Sequence, residues 1–118
     1  MIKQLLSIFY LTIIFLSCEP NQDKISVFID PTQCLSNEWD VTWLETHEYD
    51  EYPSTEDGRL KIFTDYYKSV GVKMYDSYSK WIYNAVCAAC ICPTGERYYC
   101  TVIKSDVEFL LNFGFSLE

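Results

Sequence analysis

Five cysteines beyond position 18 constrain the fold of this chain more than any other feature. Four of them lie between Cys87 and Cys100, and the fifth, Cys34, lies far upstream. Disulfides stabilise a small domain mainly by restricting its unfolded chain. Because five is an odd number, at most two bridges can form and one thiol is left over. We therefore expect a cross-linked domain, with the bridges drawn from Cys34, Cys87, Cys90, Cys92 and Cys100.

A hairpin is predicted around the four clustered cysteines. Residues 81–92 and 97–104 are rich in β-forming side chains, and Pro, Thr, Gly and Glu separate them at 93–96. Proline and glycine at these positions favour a tight turn between two strands. The sequence therefore predicts an antiparallel pair in this part of the chain.

This hairpin suggests how the cysteines are paired. On it, Cys87 and Cys100 share one face, while Cys90 and Cys92 project from the other. We expect one bridge between Cys87 and Cys100, and a second from Cys90 or Cys92 to Cys34. A bridge requires Cα atoms closer than about 7 Å.

Two chemical alternatives compete for the same cysteines. Cys87, Cys90, Cys92 and Cys100 offer four thiolates of the kind that bind zinc, although the spacing is not that of two regular knuckles. Cys87 and Cys90 also form a Cys-x-x-Cys pair, but redox pairs of this kind begin a helix, and here the surroundings favour a strand. We therefore predict structural disulfides, no metal and no cofactor, and keep a metal-binding or thiol-redox protein as the alternative.

The first residues have the pattern of an export signal. Lys3 gives a short positive start, Leu5–Leu16 is apolar, and Ser17 precedes Cys18. Such a run is shorter than the roughly 20 residues of a membrane-spanning helix. The Leu-Ser-Cys ending resembles the lipobox of bacterial lipoproteins, with Phe15 replacing the usual aliphatic residue. The resemblance implies cleavage before Cys18 and attachment of fatty acyl chains, such as palmitate, to that cysteine.

Three parts of the chain follow from this interpretation. Residues 1–17 are the predicted signal peptide, 18–24 a polar tether, and 25–118 a single small domain. The resemblance implies a protein of the cell envelope, held to the membrane by its lipid. The acidic residues just after Cys18 resemble the surface-export tethers of some Gram-negative lipoproteins, which implies the outer membrane, on its periplasmic or its surface side.

The charge balance limits the classes of partner. The chain has a net charge of −8, and eight acidic residues lie between Glu38 and Asp57. No lysine or arginine occurs between Lys24 and Arg59. Nucleic-acid-binding proteins present basic patches, so nucleic acid is excluded as the expected partner. The acidic stretch is expected to be a solvated surface, or else a docking surface for a basic partner or for cations.

Hydrophobic spacing predicts the remaining elements. Residues 25–29 alternate as a strand, 34–49 form a helix that Ser36 or Asn37 caps, and 59–70 form a second helix that ends at Gly71. Residues 72–78 alternate as another strand. A Ser105–Glu108 capping box is expected to begin a short helix that buries Val107, Leu110 and Leu111, and 115–117 form an edge strand or tail.

The end of the chain carries a second resemblance. The run Cys-x-x-Cys-x-Cys-Pro-Thr-Gly and the strand and short helix after it resemble the ending of small cysteine-rich bacterial proteins. That resemblance covers about the last 35 residues and implies no activity.

Together these patterns predict an α+β domain, with two or three helices packed on a small antiparallel sheet and cross-linked by disulfides. His47 is the only histidine, and it is expected to be a solvated or helix-end residue. No nucleophile elbow, metal-protease motif or phosphate loop is present. We expect no enzyme but a binding or interaction module, in contact with the membrane through its lipid and with a protein partner at the envelope.

Overall fold

A computed structural model describes residues 23–84 and 87–118 of the chain. This part of the chain is an α+β domain in which three α-helices pack on one face of a four-stranded antiparallel sheet. The elements in chain order are β1 (Lys24–Ile29), α1 (Glu38–Thr46), α2 (Glu56–Ser69), β2 (Tyr75–Trp81), β3 (Glu96–Ile103), α3 (Val107–Leu111) and β4 (Ser116–Leu117). The predicted fold class is confirmed.

The strands lie in the order β2-β3-β1-β4. Val27 of β1 is opposite Cys100 of β3 on one side and Leu117 of β4 on the other. The first strand of the domain is therefore an inner strand, and both its neighbours come from the last quarter of the chain.

The core lies between the sheet and the helices. Alternate residues of β3 face inward, so Tyr98, Cys100 and Val102 are buried while the residues between them are partly exposed. Phe63 of α2 lies at the centre, with its ring centroid 4.9 Å from that of Trp39 and 5.1 Å from that of Tyr98. Aromatic rings in edge-to-face contact supply much of the packing of this small core.

Helix α1 is shorter than the predicted helix over 34–49. Cys34 and Leu35 have φ values of 65° and 50°, in the left-handed region that a right-handed helix excludes. Asn37 is the residue before the helix, as expected, but its side chain does not cap a helical N–H. Its Oδ1 instead accepts from the backbone N–H of Thr32 at 3.0 Å.

Helix α2 begins one turn before the predicted residue 59. The hydroxyl oxygen of Thr55 accepts a hydrogen bond from the N–H of Gly58 at 3.1 Å, which caps the helix, and Glu56 and Asp57 occupy the first turn. Gly71 follows the helix with φ of 95°, as the sequence predicted.

The predicted hairpin is wrong in its first strand. β3 pairs with β2, with Trp81 opposite Glu96, and residues 82–95 are the connection between them. The predicted strand over 72–78 is β2, displaced toward the C-terminus. Gly95 closes the connection, because the N–H of Ile82 donates to its carbonyl at 2.8 Å. A Cβ on Gly95 would lie 2.0 Å from the carbonyl oxygen of Tyr83, and its φ is 97°.

The C-terminal elements agree with the sequence except in two details. The short helix α3 and the edge strand β4 are present. A 3₁₀ turn, Lys104–Asp106, leads into α3, and no side chain caps the helix, so the capping box of Ser105 and Glu108 does not form. Leu110 is buried as predicted, but Leu111 is 42 % exposed.

Candidate binding groove

A groove runs between α1 and α2, and none of its lining residues belongs to a strand. Its cavity volume is about 460 Å³. Aromatic, aliphatic and hydroxyl side chains form most of its surface, and the lining residues are Trp39, Thr42, Trp43, Thr46, His47, Pro53, Gly58, Lys61, Ile62, Asp65, Tyr66 and Ser69. We call this feature the α1–α2 groove.

Trp43 is the central side chain of the α1 wall. Its ring stacks on that of His47, with centroids 4.2 Å apart and planes 3° from parallel, and it contacts the ring of Tyr52 edge-on at 5.4 Å. His47 ends α1, and its Nδ1 lies 2.9 Å from the carbonyl oxygen of Trp43. The histidine therefore fixes the indole ring, in agreement with its expected place at a helix end.

A buried carboxylate stabilises the α1 wall of the groove through hydrogen bonds. Asp40 is 2 % exposed and accepts hydrogen bonds from Asn37 Nδ2 at 2.8 Å and from the Tyr52 hydroxyl. Burial, and then the hydrogen bond to Asp40, raises the pKa of Tyr52 far above its usual value. The phenol therefore stays protonated and holds the loop after α1 against the helix.

A second polar pair joins α2 to the sheet. Arg59 donates to Glu96 at 2.9 Å and to the carbonyl oxygen of Ser54 at 2.5 Å. Burial, and then the charge of Glu96, raises the pKa of Tyr98 to about 12. Glu96 is 7 % exposed and sits at the start of β3, so the pair holds the α2 wall at a set position relative to the sheet.

Acidic side chains are frequent in the segments that form the groove. Glu38, at the first turn of α1, accepts a hydrogen bond from the Tyr66 hydroxyl across the groove at 3.1 Å. On the α2 side, Lys61 pairs with Asp65 at 2.5 Å, which cancels its charge locally. The exposed acids of α1 and of the loop after it are Glu38, Glu45, Glu48, Asp50 and Glu51. Residues 38–70, which form the groove, therefore carry nine acidic side chains against three lysine and arginine side chains.

The cysteines lie outside the groove. Cys34 is bonded to Cys90, with Cα atoms 5.1 Å apart, and Cys87 to Cys92, with Cα atoms 6.0 Å apart. The expected bridge between Cys87 and Cys100 is wrong. Cys100 faces the core from β3, whereas Cys87 is exposed in the 82–95 connection.

This arrangement separates the residues of the chemical alternatives. The members of the Cys-x-x-Cys pair, Cys87 and Cys90, bond to different partners. The fourth thiol of the considered zinc set, Cys100, is buried, and burial raises its pKa to about 12. Among residues 23–84 and 87–118, no group of three or more His, Cys, Asp or Glu side chains converges as a metal site would require.

Two findings concern the N-terminal predictions. Cys18, the signal peptide of 1–17 and most of the 18–24 tether lie outside the described residues. Within the described ranges, no helix is both long enough and apolar enough to cross a membrane.

The sequence pattern indicates part of the groove wall. Trp39 and Trp43 are four residues apart, a helical spacing that places them on one face of α1, and both line the groove. Tyr52 and the pair of Arg59 with Glu96 were missed, because these contacts join distant segments without any local pattern. No family model, curated protein or solved structure matches this chain.

Proposed function

We propose that this protein is a lipid-anchored binding module of the cell envelope, without enzymatic activity, and that the α1–α2 groove is its ligand site. The observation that carries the proposal is the open groove itself, with Trp43 held in place by His47 and Tyr52. Ligand sites combine apolar walls with a few placed polar groups, in clefts of about 300–1,000 Å³.

The second part of the proposal, the lipid anchor, is supported by the sequence alone. The apolar run that ends at Cys18 resembles a lipoprotein signal, and a polar segment separates Cys18 from β1 at Lys24. Single acyl chains anchor weakly, whereas several chains on one residue hold a domain durably.

Metabolic labelling tests the anchor. Cells that produce the chain are fed a radioactive fatty acid, and the wild type is compared with Cys18→Ser. We expect label in the wild-type protein and in the membrane fraction, and none on the variant. Equal labelling of the two proteins would contradict the anchor.

Site-specific cross-linking tests the groove. A photoreactive residue replaces Thr42, which is exposed in the groove, or Lys80, which is exposed on β2. Irradiation of intact cells is expected to give cross-linked product from position 42, and less of it when Trp43→Ala is added. The same products from position 80 would contradict a ligand site in the groove.

A further inference from the structure

We infer that the occupant of the α1–α2 groove is a basic segment of a partner polypeptide, which inserts an apolar side chain between the two helices. This inference rests on the proposed function, because it specifies the ligand of the same site. It follows from the charge around the groove, the chemistry of its walls and its length.

The charge around the groove selects a cationic partner. Five exposed acids lie on α1 and in the loop after it, and the α2 side offers Lys61 already paired with Asp65, and Lys68 near the end of the helix. An anionic ligand would be repelled by this surface, whereas a partner rich in lysine or arginine would be attracted and oriented.

The walls select a partner that also carries an apolar group. Trp43, Pro53 and Ile62 line the groove together with the ring of Tyr66, so a small hydrated cation would leave these surfaces uncovered. The stem of a lysine or arginine packs on aromatic rings while its charge reaches the acids. An aliphatic side chain fills the space between the rings.

The length of the groove fits a short stretch of chain. Helix α1 has nine residues, and a helix rises about 1.5 Å per residue, so the wall is about 13 Å long. An extended chain advances about 3.3 Å per residue, so about four residues of a partner lie along the groove. This gives room for one apolar side chain flanked by basic ones.

Tryptophan fluorescence of the full chain tests the occupant. Trp81 is 71 % exposed and does not line the groove, so it is first changed to phenylalanine, which leaves Trp39 and Trp43, the two tryptophans that line the groove, as the reporters. The probe is a synthetic twelve-residue peptide of lysine and leucine. Its controls are the same peptide with glutamate in place of lysine, a lysine homopolymer of equal length, and spermine.

We expect the lysine–leucine peptide to shift the emission of the groove tryptophans and to bind more weakly as salt is raised. Trp43→Ala is expected to weaken binding about thirtyfold, as for a central interface residue, with binding of this variant followed by a fluorophore on the peptide. The double variant Glu38→Gln with Glu45→Gln is expected to weaken binding of the peptide about fivefold for each charge removed. The matched control, Asp106→Asn with Glu108→Gln, removes two acids beside α3 and is expected to leave affinity unchanged.

A second variant distinguishes loss of the binding site from loss of the fold. Thr42→Arg places a positive charge in the groove at an exposed position, and it is expected to abolish binding while the circular dichroism spectrum stays that of the wild type. Equal affinity of groove and control variants would overturn the inference, because it would show attraction to net charge alone.

Other occupants give different results. Tighter binding of spermine or of the lysine homopolymer than of the lysine–leucine peptide would replace the polypeptide by a simple polycation. Concentration-dependent dimers that Thr42→Arg abolishes would assign the groove to a second copy of the chain. Each of these results overturns the inference, while cross-linking from position 42 still decides separately whether the groove is a ligand site.

Discussion

At the scale of the residue, Cys100 is the cysteine that the two disulfides leave out. It lies on the core face of β3, opposite Val27, and is 2 % exposed. Burial raises its pKa to about 12, so the nucleophilic thiolate is scarce at neutral pH. An odd count predicted a leftover thiol, but not which one, because the identity of that residue depends on the register of β3 against β1.

Reactivity of Cys100 toward an alkylating reagent follows from this burial. In a Cys18→Ser background at pH 8, we expect no label on the native protein and one label after unfolding in urea, as counted by mass spectrometry of the intact chain. Cys100→Ala should remain unlabelled in both states. Label on the native protein would contradict the burial of Cys100, and more than one label without a reductant would show that the cysteines are paired differently.

At the scale of the element, the sequence predicted what local patterns determine. The strand at 25–29, the helix that ends before Gly71 and the short helix at 107–111 follow from alternation, helical spacing and a C-terminal glycine. The elements that were predicted wrongly depend on contacts between distant segments of the chain. Helix α1 loses its first residues because Cys34 takes a left-handed conformation where it is bonded to Cys90. The β-prone residues 82–84 and 87–92 form no strand, and the second range contains the bonded Cys87, Cys90 and Cys92.

The two disulfides contribute unequally to the stability of these elements. Cys34 and Cys90 are 56 residues apart, and Cys87 and Cys92 are 5 apart. The loop-entropy model then gives about 4 kcal/mol for the first bridge and about 2 kcal/mol for the second. Replacing Cys34 and Cys90 by alanine should lower the free energy of unfolding, measured by urea denaturation, more than replacing Cys87 and Cys92 does. A larger loss for the short bridge would contradict a role through chain entropy.

At the scale of the whole molecule, buried tyrosine and cysteine side chains make the free energy of unfolding fall at alkaline pH. The pKa values of Tyr98 and Cys100 are each raised by burial to about 12, from ordinary values of 10.0 and 9.0. The unfolded chain therefore loses these protons at lower pH than the folded one. Their contribution is fully present below the ordinary values and is lost as pH rises toward 12.

Urea unfolding at several pH values checks this dependence. The background is Cys18→Ser with Cys100→Ala, which prevents disulfide exchange by these two thiols. We expect the free energy of unfolding to fall between pH 9.5 and 11, and to fall less steeply in Tyr98→Phe, by at most one proton or about 1.4 kcal/mol per pH unit. Equal slopes for the two proteins would contradict a titrating Tyr98. Tyr98→Phe also removes a hydrogen bond between Tyr98 and Arg59, which should change the free energy of unfolding by a similar amount at every pH and leave the comparison of slopes intact.

The position of β1 inside the sheet determines when the domain can fold. β1 is made first, yet its partners are β3 and β4, which are made last. Contacts between such distant segments form slowly and only when both are available. A chain that emerges N-terminus first from a ribosome or a translocation channel thus cannot complete its sheet until its final residues have emerged. If the chain is exported, as we propose, it reaches the far side of the membrane before its sheet is complete.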